Sequence, residues 1–210
     1  MTILIIDTST KKMSLALLDI ESQVVLASYR EEMEENSHAR KINLAIIHLL
    51  ETTNKKFADL TAVAINEGPG SFTGLRVGSS TAKGICFALN TPLIAIPGLV
   101  AYGNYLYTEK ADEVTDVFVL MDARRANYFY THISESYQET ISAFDSFENI
   151  EKEINQCQSP WLFYTDKMNG IELSAEKLKW AVLEKWKSKD FVNLTNFEPM
   201  YIVNNYLTKK

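Results

Sequence analysis

Along the first third of the chain, hydrophobic residues come as short runs of Ile, Val and Leu broken by polar turn formers, a pattern that predicts strands. The first three lie at Ile3–Asp7, Ser14–Asp19 and Val24–Arg30, with "TSTKK" (Thr8–Lys12) as the first turn. From Ser37 to Leu50 the period changes to three or four, which predicts a helix with Asn36 as its N-cap. At about 100° per residue, Ile42, Ala45, Ile46, Leu49 and Leu50 share one face wide enough to lie against a sheet, whereas Leu44 and Ile47 fall outside it. A strand at Ala62–Asn66, a glycine-rich loop, a helix over Phe72–Leu89, a short strand at Leu93–Ile96 and a helix from near Gly98 follow. This β-β-β-α-β-α-β-α order mixes hairpins with crossovers and therefore predicts a mixed sheet.

The pattern then restarts. "YTEKADEVT" (107–115) is polar and reads as a linker, and beyond it "VFVLMDARRANYFYTHI" reproduces the strand, Asp, polar turn and alternating strand of "ILIIDTSTKKMSLALLD". A third strand is expected at Glu139–Phe144, and another at Trp161–Tyr164. Ser174–Lys187 forms an amphipathic helix with Lys177, Lys179, Lys185, Lys187 and Lys189 on or near its solvated side. The expectation is an α/β protein of duplicated actin-like (ASKHA, ribonuclease H-like) two-lobe fold, each lobe opening β-β-β-α around a mixed sheet. Residues 1–106 make the N-terminal lobe, 107–115 the linker and 116–210 a reduced C-terminal lobe.

Composition narrows the partners. With 46% hydrophobic and 23% charged residues the chain is an ordinary globular one, and its net charge of −6 disfavours tight binding to nucleic acid by the chain alone. Cys86 and Cys157 lack a CxxC partner and read as reduced thiols. The opening "MTILIIDTST" is too short and too soon interrupted by Asp to be a signal peptide or a membrane span, so a cytoplasmic location is expected.

The candidate chemistry centres on "EGPGSFTGLRVGSSTAKG" (67–84), which resembles a phosphate-binding loop entering a helix. It lacks the Lys and hydroxyl of a Walker loop, since Leu75 and Arg76 follow Gly74, and its glycine spacing is not that of a dinucleotide fingerprint. What remains is a tight turn, Ser71 as N-cap, and a helix N-terminus that suits an anion. The turn "DTST" carries Asp7 but has Ser9 where the actin-like D-x-G-[TS] turn has its glycine. Asp7, Ser9, Gly70 and Ser71 therefore make a degenerate phosphate-site candidate, beside the plainer reading of a capped helix with no ligand. Gly74, Gly78 and Ala82 recur every fourth residue on one helix side, and each interior glycine costs roughly 1 kcal/mol against Ala. A close helix neighbour, internal or on another protein, would offset that cost. Beside the exposed Leu44 and Ile47, the second alternative makes Leu44, Ile47, Gly74, Gly78 and Ala82 a candidate partner interface. His38 and His48 stand ten residues apart and His132 lies in the other half, so the three histidines read as surface or packing residues and no metal is expected. Nor is there a G-x-S-x-G elbow, or a His evidently paired with Ser71.

In their order and spacing "ILIIDTST", "GPGSFTGLRVGSSTAKG" and "MDARRANYFY" resemble the TsaB (YeaZ) family, with the match covering roughly Thr2 to Tyr130 and "FEPMY" resembling the family's tail. The resemblance implies a non-catalytic scaffold or activator subunit in tRNA threonylcarbamoyladenosine (t6A) synthesis, dimerising with the TsaD transferase subunit, whose metal-binding His-x-x-x-His pair is missing from this sequence. It implies a TsaD-like subunit and a TsaE-like ATPase as partners, self-pairing through the same helices as a further option, tRNA contact only through the complex, and no membrane. No cofactor is required by the chain alone, and ATP or ADP at the partner interface is the one that the resemblance leaves open. A stand-alone actin-like ATPase or kinase is the alternative, which Ser9 argues against, and an M22-type glycoprotease is the weakest reading.

Overall fold

The computed structural model describes residues 1–32, 38–110, 112–123, 125–134, 143–164 and 174–201. Two mixed sheets form. In the first, β1 (Thr2–Asp7), β2 (Lys12–Asp19), β3 (Val24–Glu32), β4 (Leu60–Gly68) and β5 (Leu93–Pro97) stand in the order β3-β2-β1-β4-β5. In the second, β6 (Asp116–Asp122), β7 (Asn127–Ser134), β8 (Ala143–Ser146) and β9 (Pro160–Tyr164) stand in the order β8-β7-β6-β9. In each, the opening strand pairs antiparallel with the second and parallel with the fourth. α1 (His38–Thr52) precedes the fourth strand of the first sheet, and α4 (Phe147–Ile154) precedes that of the second. The duplication read from pattern is thus a duplication of topology.

α1, α2 (Phe72–Leu89), α3 (Gly98–Lys110) and α5 (Lys179–Ser188) complete the layers. All six residues of β1 are buried, so both of its faces need cover. Leu4 and Ile6 meet Ile42, Ala45, Ile46, Leu49 and Leu50 of α1, the five residues that the periodicity placed inward, together with Ala82 and Cys86 of α2. On the opposite face Ile3 and Ile5 meet Tyr102 of α3 and Ala175, Leu178, Val182 and Leu183.

That second layer corrects the lobe boundaries. The last segment, a 3-10 turn at Ala175–Leu178 followed by α5, packs on the first sheet although it follows the second in sequence. α3 continues through Lys110, across the first part of the expected 107–115 linker, and sets Leu99 and Leu106 against Val117, Val119 and Ile133 of the second sheet. The two halves of the chain thus exchange cover: α3 lies against both sheets, and the last segment returns to complete the face of the first sheet that α3 covers in part. Smaller departures are local. The Ser174–Lys187 helix begins as the 3-10 turn; the strand expected at Glu139–Phe144 is seen at Ala143–Ser146, its earlier residues lying outside the described ones, as does Asn36. Among the described residues no helix is long and apolar enough to cross a membrane.

Candidate functional site

The β1–β2 turn and the N-terminus of α2 come together, and with them all four residues of the phosphate-site candidate. Ser71 caps α2 by accepting from the Gly74 N–H at 3.3 Å, and its own N–H donates to the Ser9 carbonyl at 2.7 Å. A Cβ on Gly70 would lie 2.3 Å from that carbonyl, so the loop backbone rests on the turn. The polar groups, however, are used internally. Asp7 Oδ1 accepts from Ser9 N–H at 2.8 Å and from Ser9 O–H at 2.7 Å, while the Tyr102 hydroxyl donates to Oδ2. Asn66 Nδ2 donates to Ser9 Oγ at 3.1 Å, and Asn66 Oδ1 accepts from Gly68 N–H at 2.9 Å. Asp7 and Ser9 are buried by this network. The Ser9 side chain thus caps Asp7 in the place where a glycine would leave room for a phosphate. Asp7 and Ser9, read from the sequence as part of a degenerate phosphate site, thus direct these polar atoms at each other, at Tyr102 and at Asn66. Tyr102, which no motif or spacing singles out, lies 95 positions from Asp7 and has its phenol pushed well above the ordinary range by burial and by the Asp7 charge.

The glycine stripe also turns inward, a second correction. A Cβ on Gly74 would lie 2.0 Å from the Thr8 carbonyl oxygen, and one on Gly78 would lie 2.3 Å from Thr8 Oγ1 and 3.0 Å from Ile65 Cδ1. Thr8 Oγ1 donates to the Gly74 carbonyl at 2.8 Å, and Ala82 is buried in the core. The close neighbour that offsets these glycines is the β1–β2 turn of the same chain, which removes Gly74, Gly78 and Ala82 from the partner interface. Leu44 and Ile47 instead face outward. They are 68% and 40% exposed, and α1 packs beside α2, whose outer side presents Phe72 and Phe87 at 54% and 82% exposure. Gly84 has no atom within 4 Å of its would-be Cβ and belongs to this outer side. A hollow bounded by Tyr29, Glu31, Lys41, Leu44, Ala45 and His48 adjoins it. Four large apolar side chains on one helix pair are more than the scattered exposure of an ordinary surface.

In the second sheet, His132 is not an ordinary packing residue. Its Nε2 lies 2.8 Å from Asp116 Oδ1 and its Nδ1 3.0 Å from Glu153 Oε1, and the ring stacks on Phe118 with centroids 4.1 Å apart. Cys157, a turn beyond Glu153, brings its thiol to the same point. Burial, then the Asp116 charge and hydrogen bond and the Glu153 charge, push this thiol up to about 11. A thiol so raised stays protonated at neutral pH, and both nitrogens of the imidazole already face carboxylates, so Cys157 and His132 do not form a nucleophile–base pair.

A family model described as TsaD, tRNA N6-adenosine threonylcarbamoyltransferase, matches residues 30–201. The chain belongs to this family, in its TsaB (YeaZ) branch. Over its whole length it is 27% identical to the tRNA threonylcarbamoyladenosine biosynthesis protein TsaB of Haemophilus influenzae, covering 97% of that protein. To the protein of the same description from Escherichia coli it is 25% identical, again over its whole length and over 98% of that protein. Its fold is that of YeaZ from Pseudomonas aeruginosa, with a TM-score of 0.74 and 21% identity over 96% of this chain and 99% of that one.

Proposed function

We propose that this protein takes part in tRNA threonylcarbamoyladenosine biosynthesis as a non-catalytic scaffold or activator, docking on a TsaD-type transferase through the outer side of α1 and α2. The observation that carries this reading is the exposed set Leu44, Ile47, Phe72 and Phe87 on a helix pair whose inner side is already packed. The lack of a catalytic activity of its own is supported by the consumption of Asp7 within the Ser9 and Tyr102 network, which also weighs against a stand-alone ATPase or kinase. An M22-type glycoprotease is weighed against by the histidine spacing, His38, His48 and His132 making no His-x-x-x-His pair. A TsaE-type ATPase joins the assembly, self-pairing uses the same helix face when the transferase is absent, and tRNA is reached through the complex. The protein works in the cytoplasm, where the tRNA that the complex modifies is. A nucleotide, where one acts, lies at the partner interface and not in the β1–β2 turn.

The test is the affinity of the purified chain for the TsaD-type transferase of the same organism, measured by calorimetry, for wild type, Leu44→Asp and Phe87→Asp. Interface anchors cost at least about 2 kcal/mol when lost, so each substitution raises Kd by about 30-fold or more. Unfolding stability stays within about 0.5 kcal/mol of wild type, because both sites are on the surface. Unchanged affinity in both variants would refute this docking face; robust ATP hydrolysis by the chain alone, abolished in Asp7→Ala, would refute the non-catalytic assignment.

A further inference from the structure

We propose that Asp116, His132 and Cys157 form a binding site for a borderline-soft divalent cation, with Zn²⁺ the best match, and that Glu153 fixes the imidazole for it. The site joins three elements. Asp116 opens β6, and His132, on β7 opposite Phe118, lies diagonally across from it on the same sheet face. Ile150 and Ile154 seat α4 on that face through Phe118 and Leu120. This carries Glu153 over the ring and delivers Cys157, whose N–H is held by the Ile154 carbonyl at 3.0 Å. One ligand atom from each of Asp116, His132 and Cys157 then lies within 4.8 Å of the other two.

The hydrogen-bond inventory of the ring points to a cation. A neutral imidazole carries one N–H, yet both nitrogens here are within hydrogen-bonding distance of a carboxylate oxygen, at 2.8 and 3.0 Å. One of the two contacts therefore sets lone pair against lone pair unless a proton or a metal ion stands between. The chemistry of the set favours the metal. Nδ1 directed at Glu153, itself held by the Tyr130 hydroxyl at 3.2 Å, leaves Nε2 as the ligating nitrogen, the carboxylate–histidine–metal arrangement that fixes tautomer and ring orientation. Thiolate, imidazole and carboxylate together suit Zn²⁺ better than Mg²⁺ or Ca²⁺, which take oxygen ligands. Tetrahedral Zn²⁺ with these ligands needs donor atoms about 3.3–3.6 Å apart, so the 2.8 Å between Asp116 Oδ1 and His132 Nε2 must widen by about 0.5–0.8 Å, with Cys157 Sγ, within 4.8 Å of both, adjusting to the same spacing. On binding, the Cys157 S–H bond breaks, a Zn–S bond forms and the proton passes to solvent; a water completes the fourth position. The ligands stand 16 and 25 positions apart in sequence, outside any short metal motif.

The experiment uses the reduced full-length chain freed of metal by a chelator, titrated with Zn²⁺ against a chromophoric competitor and separately with Co²⁺. One Zn²⁺ per chain is expected, with a thiolate-to-cobalt charge-transfer band in the near ultraviolet for Co²⁺. Cys157→Ser abolishes that band and weakens Zn²⁺ by at least about 100-fold, Glu153→Gln weakens it by about 10- to 100-fold, and Cys86→Ser changes nothing. Circular dichroism of the metal-free variants checks that they fold. Should Cys157→Ser not fold, ¹⁵N resonances of the His132 ring in the wild type provide the same decision, because Zn²⁺ at Nε2 shifts them strongly. Substoichiometric Zn²⁺, a Co²⁺ complex without the thiolate band, equal affinity in folded Cys157→Ser, or unmoved His132 resonances would each overturn the proposal.

Discussion

Placing the same substitution at two glycines of one helix, Gly74→Ala and Gly84→Ala, should give opposite changes in stability. At Gly84 a methyl meets open space, so only the helix propensity changes and the variant should gain about 0.8–1.0 kcal/mol. At Gly74 the new Cβ would stand 2.0 Å from a backbone oxygen of Thr8, and no rotamer relieves that contact; turn and helix must part by about 1 Å to reach even the tightest distance that real Cβ atoms show. Such a shift breaks the 2.8 Å bond from Thr8 Oγ1 to the Gly74 carbonyl and strains the 2.7 Å bond from Ser71 N–H to Ser9 beside it. Overpacking costs about 1–3 kcal/mol and the lost buried hydrogen bond about 1–3 kcal/mol, against about 1 kcal/mol gained in propensity, for a net loss of about 1–5 kcal/mol. Urea unfolding followed by circular dichroism reads both variants, and an unchanged m-value assures that the same two states are compared. For a chain of this size each kcal/mol also moves Tm by roughly 2–4 °C. If Gly74→Ala matched Gly84→Ala in sign and size, the claim that the stripe is filled by the chain's own β1–β2 turn would be wrong.

Two further expectations concern Tyr102, which is buried, and Glu67, which is partly so. Tyr102→Phe leaves Asp7 Oδ2 without its donor in a buried site and should cost about 1.5–3 kcal/mol in urea unfolding, hydrogen bonds to charged groups lying in that range; a loss below about 0.5 kcal/mol would show the contact to be incidental. Burial raises the Glu67 carboxyl above its ordinary range, an effect that the Lys185 charge opposes and the Asp190 charge adds to. Because the folded state holds this proton more tightly than the unfolded one, the stabilisation is complete below the unfolded pKa near 4.3 and is lost as pH rises through the higher folded value. Glu67→Gln should therefore be more stable than wild type at pH 7 relative to their difference at pH 3.5, and a difference independent of pH would contradict the assignment.

The residue pattern alone settled what depends on period and neighbourhood. Ile42, Ala45, Ile46, Leu49 and Leu50 had to share a face once α1 formed, and Leu44 and Ile47 had to miss it, because an α-helix fixes the angle between successive side chains. Phe72–Leu89 was legible from end to end, since Ser71 caps its start and Asn90 closes it in the left-handed conformation that Asn tolerates. The tertiary structure decided whatever depends on what a face meets. Sequence shows that Gly74, Gly78 and Ala82 form a smooth stripe, yet a stripe has the same pattern whether a partner or its own turn fills it, and the Thr8 backbone settles the matter. Likewise Tyr102 reaches Asp7 only because α3 crosses behind β1, and Asp116, His132 and Cys157 converge only because α4 docks on the β6–β7 face. Local propensity acts over a few residues, whereas these contacts join positions tens of residues apart, and only the packing of both sheet faces brings them together.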